Sequence, residues 1–265
     1  MLPSLNSSAL SKTQSLMQIY AQQLSSGKRI NSAADDPAGL SIADAMGSQL
    51  GGQQQAIGNI TSGLSLTDTA GGALSQVTDS LQQIRDLAVQ AGNGSLNSTD
   101  LQSIQDQITG LTKNIDSISA NTQFNGQNLL DGSFSGQLQT GPNAGDTLGL
   151  SLGNVSSNGL GLSSLDVSSS ANATSALGAI DNAIKSVGNL QSNVAATSAG
   201  LNSDLSNLSS SYVQLSQSQS RIQDADFAQA SSGLSQAGVQ NQTAVYALKL
   251  YQENQKAAVS GLFNQ

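Results

Sequence analysis

Apolar residues recur in steps of three and four along most of this chain. Leu10, Met17 and Leu24 lie on one stripe with Tyr20 filling it, and Leu74, Val77, Leu81, Ile84 and Ala88 form a second. Leu101, Ile104, Ile108, Leu111, Ile115 and Ile118 make a third. Further on come Leu177, Ile180, Ile184 and Val187, then Leu201, Leu205, Leu208, Tyr212, Leu215 and Ile222. Ala244, Leu248, Tyr251, Ala258 and Leu262 close the chain. Such spacing puts one apolar face on a helix, and its heptad-like regularity predicts long helices packed as a bundle or coiled coil.

The breaks in the pattern are equally legible. AGNGSLNST (91–99) reads as a loop between helices, with Ser98 or Thr99 placed to cap the next one. NTQFNGQNLLDGSF (121–134) ends the helical run, and its Asn125-Gly126 pair signals a tight turn. From about 133 to 170 the pattern shortens to alternations such as Leu148, Leu150 and Leu152. These predict a few strands, with turns at GPNAG (141–145) and GNVSSNG (153–159). The expected fold is mainly α, with long antiparallel helices, a small β-hairpin region in the middle and the two chain ends paired.

Residues 1–34 and 232–265 each read as a single amphipathic helix. Isolated helices are marginal in water, so each must bury its stripe against the other or against a neighbouring molecule. Near the first of them, LSSGKRINSAADDPAGLSIADAM (24–46) concentrates charge in a chain of which only 10% is charged. Gly27 suits a left-handed helix end, with Lys28 and Arg29 near that helix's negative end. Asp36 then serves as N-cap with Pro37 at the first helical position, where its missing N–H is not needed. The segment therefore reads as a joint. A phosphate-binding loop would need a leading glycine and a following Ser or Thr, which SSGKR lacks. An acid–base pair at Asp35-Asp36 would need a pocket that holds the two carboxylates in opposed environments.

Composition narrows the function. With 265 residues, 3% aromatics and no Trp, the core must be built from Leu, Ile, Val and Ala, which suits thin seams between helices. The chain has no His and no Cys, which removes the commonest general base, the thiolate nucleophile, the usual zinc ligands and any disulfide. No catalytic residue, metal or cofactor is expected. A net charge of −8 argues against nucleic acid, and no apolar run reaches membrane-spanning length. The opening MLPSLNSSALSKTQ lacks the apolar core of a cleaved secretory signal. Glu253 is the single glutamate, and Gln, Ser, Asn and Thr supply most of the polarity. Uncharged polar groups avoid like-charge repulsion between identical copies, which hints at self-association.

LSSGKRINSAADDPAGLSIA resembles the N-terminal signature of bacterial flagellin. LQQIRDLAVQAGNGS (81–95), NTQFNGQNLLDGS (121–133), LQTGPNAGDTL (138–148) and RIQDADFAQ (221–229) are similar to further phrases of that family, in the same order. The resemblance implies a subunit exported unfolded through the flagellar type III channel and polymerised beneath a cap into an extracellular filament for motility. The family's terminal helices form an inner tube, here 1–34 and 232–265. A helical rod surrounds it, here 35–231 with a β-rich tip at about 121–170, and no outer domain is expected. Self-assembly residues carried over are Leu10, Met17, Tyr20, Leu24, Gly27, Arg29, Asp36, Pro37, Ala244, Leu248, Tyr251 and Leu262. Implied partners are other copies of the chain, an export chaperone, and the filament cap and junction proteins. Gln82, Ile84, Arg85 and Leu87 overlap the surface that a vertebrate toll-like receptor recognises on many members. Gln83 and Gln107 stand where recognised members tend to carry charge, so weak signalling is expected. The segment before LSSG is shorter than is usual in the family, and the GLFNQ end also departs from it. The alternative within the assembly class is a hook–filament junction protein, which shares a GKR and DDP-type start. A free coiled-coil adhesin would instead show helical ends already folded in dilute solution, and an enzymatic insert would need a His-rich zinc motif.

Overall fold

The computed structural model describes residues 2–263, with side chains described for residues 8–259. The helices are α1 (Leu2–Ser26), α2 (Pro37–Ala91), α3 (Ser98–Asn121), α4 (Ser170–Gln223) and α5 (Phe227–Phe263). Between α3 and α4 lie two antiparallel hairpins, β1 (Gln123–Phe124) with β2 (Gln127–Asn128) and β3 (Ser135–Gln139) with β4 (Thr147–Ser151). This is the mainly helical architecture with a small central β region that the sequence predicts.

The chain divides into two units, one of residues 1–50 and 213–265 and the other of residues 51–212. Both α2 and α4 contribute to each. At 55 and 54 residues, these helices join stripes that look separate in the sequence.

In the second unit, Leu74, Val77, Leu81, Ile84 and Ala88 of α2 are all fully buried, as their spacing requires. They meet Ile104, Ile108 and Ile115 of α3 and a stripe on α4. That stripe is displaced from the expected one. Leu177 and Ile184 are only half-buried, and the deep positions beside Ile180 and Val187 are Ala176 and Ala183. Small side chains let helix backbones approach, so branched neighbours flank the contact rather than fill it. Gly63 of α2 serves a similar end, because a methyl there would meet Leu201 of α4 at 3.2 Å and press still closer on Leu138 of β3.

The loops follow the expected turn chemistry with two corrections. Asn125 (φ 50°) and Gly126 (φ 76°) form the two-residue turn of β1–β2, and 140–146 close β3–β4. Helix α3 is capped by Asn97, not by Ser98 or Thr99. Its side chain accepts from the Thr99 and Asp100 amides, and its own N–H donates to the Asp100 carboxylate. The second correction concerns 152–169, which carries no strand and sends Leu152, Val155, Leu162 and Val167 into the core as loop. Scattered bonds take the place of a ladder: the Leu152 N–H donates to the Phe134 carbonyl (3.3 Å), the Val155 N–H to the Leu130 carbonyl (3.0 Å), and Ser157 to Asp116 through N–H (2.7 Å) and hydroxyl (2.9 Å).

In the first unit, α1 packs along α5. Thr13, Ala230 and Ala237 are buried, and the ring of Tyr20 lies against Gly233. Helix α1 stops at Ser26 rather than running to 34, because the capping residues 27–36 form the joint.

Candidate functional site

The charged segment read as a joint links α1 to α2, and it is bonded to the link between α4 and α5. Gly27 takes φ 71° and donates its N–H to the Gln23 carbonyl at 2.9 Å, closing α1. Arg29, expected to serve the end of α1, instead reaches the end of α4. Its guanidinium donates to the Ile222 carbonyl (2.7 Å) and its N–H to the Gln223 carbonyl (2.6 Å). A helix C-terminus carries unpaired carbonyls and partial negative charge, so a cation that also donates hydrogen bonds satisfies both. The Ala225 N–H donates back to the Gly27 carbonyl (2.9 Å), and the backbones of Lys28 and Asp224 pair as an isolated antiparallel β-bridge. Ile30 is fully buried beneath the joint.

The acids are caps. Asp36 accepts from the Gly39 N–H through its carboxylate (2.8 Å) and from the Leu40 N–H through its carbonyl (2.9 Å), with Pro37 opening α2. Asp226 does the same for α5 through Gln229 (3.0 Å) and Ala230 (2.9 Å). Asp35 accepts from the Asn31 and Ser32 amides (3.0 and 2.9 Å) and the Ser32 hydroxyl (3.1 Å). Those bonds, the Asn31 amide first, hold its pKa below the ordinary value of 3.8. Arg29 and Asp36 are 4.0 Å apart and partly solvated, so this ion pair adds little.

Of the terminal-helix residues, Leu10, Met17, Tyr20 and Leu24 of α1 are half-buried, as are Ala244, Leu248 and Tyr251 of α5. Leu262 lies outside the residues whose side chains are described. The sequence reading missed a second stripe on α5. Val239, Tyr246 and Leu250 lie on the side away from the Ala230–Ala237 face and are 64%, 65% and 43% exposed. Their spacing of seven and four was the available signal, hidden by the stronger stripe at Ala244, Leu248 and Tyr251. The acidic phrase at 224–226, likewise, was not read as the partner of the joint.

In the second unit, Gln82 and Arg85 are exposed and Leu87 is half-buried. Ile84 is fully buried and offers no surface, since it occupies the core stripe of α2. Arg85 donates from Nε to Asp181 of α4 at 2.8 Å, and this bond raises its pKa. Among the described residues, no group of His, Cys, Asp and Glu could hold a metal ion, and no helix is long and apolar enough to cross a membrane.

Comparison with known proteins matches the bacterial flagellin N-terminal helical region to residues 1–135 and the bacterial flagellin C-terminal helical region to residues 177–260. The chain belongs to the bacterial flagellin family. A flagellin of Bacillus subtilis (strain 168) is 36% identical over 254 residues, an alignment covering 83% of this chain and 84% of that protein. A flagellin of Escherichia coli O127:H6 is 43% identical over 158 residues, which cover 60% of this chain and only 29% of the relative. Among solved structures, a Bacillus cereus flagellin aligns with a TM-score of 0.52 at 28% identity, over 57% of this chain and 88% of that one. Flagellins are structural proteins and not enzymes, and its homologues form the extracellular bacterial flagellar filament.

Proposed function

We propose that this chain is a structural subunit that polymerises into the bacterial flagellar filament, with its terminal helices making the contacts between copies. The observation that carries this reading is the second apolar stripe of α5, at Val239, Tyr246 and Leu250, left uncovered after α1 has packed against the opposite side. Burying such side chains is worth about 1–3 kcal/mol each, enough to favour association when several copies contribute. Contacts of this kind are head-to-tail and unclosed, so they build an open helical fibre.

On this reading the chain leaves the cell unfolded through the flagellar type III channel, with an export chaperone, and folds at the filament tip beneath the cap. Ordering each residue's backbone costs about 1–2 kcal/mol, which apolar burial among neighbours must offset. Residues 1–34 and 232–265 form the inner layer and 35–231 the surrounding helical part. The joint at Gly27, Arg29, Asp36 and Pro37 transmits position from one to the other. Leu10, Met17, Tyr20, Leu24, Ala244, Leu248 and Tyr251 hold the terminal pair together or face neighbours. The partly engaged patch at Gln82, Arg85 and Leu87 gives a toll-like receptor little free charge, so signalling is weak.

Electron microscopy of purified protein after seeding tests the proposal. Long filaments are expected from the full chain and none from chains lacking residues 1–30 or 240–265. Short stubs alone would favour a junction protein, and a reporter-cell assay with a full-strength response would refute weak signalling. Tyr246→Asp should keep the helical content of the monomer and abolish filaments.

A further inference from the structure

The chain contains three Asn-Gly steps, at Asn93-Gly94, Asn125-Gly126 and Asn158-Gly159. This dipeptide carries latent chemistry, because the glycine nitrogen, unshielded by any side chain, can attack the asparagine amide carbon. The three steps sit in different settings. At Asn158, the Gly159 N–H is donated to the Ser156 hydroxyl (3.2 Å), and Gly159 is wedged against Asn154. At Asn125, the residue is fixed at φ 50° in the two-residue turn of β1–β2, with its neighbours Phe124 and Gln127 paired. Like Asn125, Asn93 is exposed, and a Cβ on Gly94 or on Gly126 would meet nothing within 4 Å, but Asn93 lies in the loop between α2 and α3 and not in a paired hairpin turn. Its side-chain oxygen accepts two hydrogen bonds from one residue, the Ser95 N–H (3.2 Å) and the Ser95 hydroxyl (3.0 Å).

We propose that Asn93-Gly94-Ser95 is a self-modifying site that converts Asn93 to aspartate or its β-linked isomer. Two donors aimed at Oδ1 stand where negative charge develops when the amide carbon becomes tetrahedral, which is the arrangement that stabilises an oxyanion. The Gly94 nitrogen gives up its proton and bonds to Asn93 Cγ, leaving the charge on Oδ1 beside the Ser95 donors. Collapse of this intermediate breaks the Cγ–Nδ2 bond, and ammonia departs carrying the proton. A water molecule then opens the five-membered imide, its hydroxyl adding to one carbonyl carbon and its hydrogen to the nitrogen. Opening on one side leaves aspartate, and on the other a main chain that runs through the side chain. Either product adds one negative charge to the loop.

Two other asparagines have the donors without the glycine. Asn154 accepts from the Ser156 N–H (2.9 Å), but the next nitrogen belongs to fully buried, β-branched Val155. Asn97 accepts from Thr99 and Asp100, but Ser98 follows it and is already the first residue of α3. Among the described residues, Asn93 joins a cradled oxygen to an exposed glycine.

The test is peptide mapping by mass spectrometry of the full chain, held in mildly alkaline, oxygen-labelled water. The Asn93 peptide should take up label ahead of the Asn125 and Asn158 peptides. Ser95→Ala removes one donor and should slow conversion at Asn93 about fivefold, leaving the other two sites unchanged. Gly94→Ala should nearly stop it by crowding the attacking nitrogen. Circular dichroism confirms that both variants fold, as their exposed positions lead one to expect. In strong denaturant, where the cradle is lost, the lead of Asn93 should shrink. Conversion at Asn158 as fast as at Asn93, no effect of Ser95→Ala, or a lead that survives denaturant would each overturn the proposal.

Discussion

Asp36 shows how much one side chain does at a helix start. It accepts two of the first amide hydrogens of a 55-residue helix, one through its carboxylate and one through its carbonyl. Asp36→Ala should lower stability by about 1 kcal/mol in a urea titration, and Asp36→Asn by much less, because asparagine caps as well. Asp35 gives a pH dependence of known sign. Bonds from Asn31 and Ser32 lower its pKa in the folded chain below 3.8. Its contribution is therefore fully present above that value and is lost as pH falls through the folded pKa. Thermal melts across this acid range should drop less steeply for Asp35→Asn than for the parent chain. Asp131 and Asp166 are lowered for the same reason, by Ser133 and Ser168, and act in the same direction.

Among the elements, the α1–α5 pair depends on close approach. Any side chain at Gly233 would meet the Tyr20 ring at 2.6–2.9 Å. Gly233→Leu should destabilise this pair by about 1–3 kcal/mol, read as earlier loss of helical signal and faster proteolysis of the terminal segments. The joint is likewise a matter of elements, since Arg29 closes α4 and not its own helix. Spacing in the sequence marked Arg29 as a helix-end cation and assigned it to the adjacent end of α1, whereas it serves the end of α4. Ile222 is 193 residues away, and only the fold brings it within 2.7 Å. The alanine stripe of α4 was missed for a related reason, because hydrophobicity points to leucine and isoleucine while backbone proximity selects Ala176 and Ala183.

For the whole molecule, the distribution of charge matters most. Of nine basic and seventeen acidic residues, six of each fall within residues 1–50 and 213–265, leaving that unit neutral. The other unit holds three basic residues against eleven acidic ones and so carries the entire net charge of −8. A neutral terminal unit can pack densely with copies of itself, whereas like-charged units repel over roughly 8 Å at physiological salt and farther when it is dilute. Light scattering should accordingly show a lower critical concentration for assembly as ionic strength rises from low to physiological, with Gly233→Leu assembling poorly throughout.

The amino-acid pattern by itself determined the helices, the buried stripes of α2 and α3, the Asn125-Gly126 turn and the caps at Gly27 and Asp36. These depend on neighbours within a few residues, and period, propensity and capping chemistry act at that range. The family phrases, too, were complete in the order of the residues. Only the tertiary structure decided the partner of Arg29, the deep positions Ala176 and Ala183, the strandless course of 152–169 and the bare stripe at Val239, Tyr246 and Leu250. Each of these turns on which distant backbone comes close, and a one-dimensional pattern carries the tendency to bury a side chain but not the identity of what covers it.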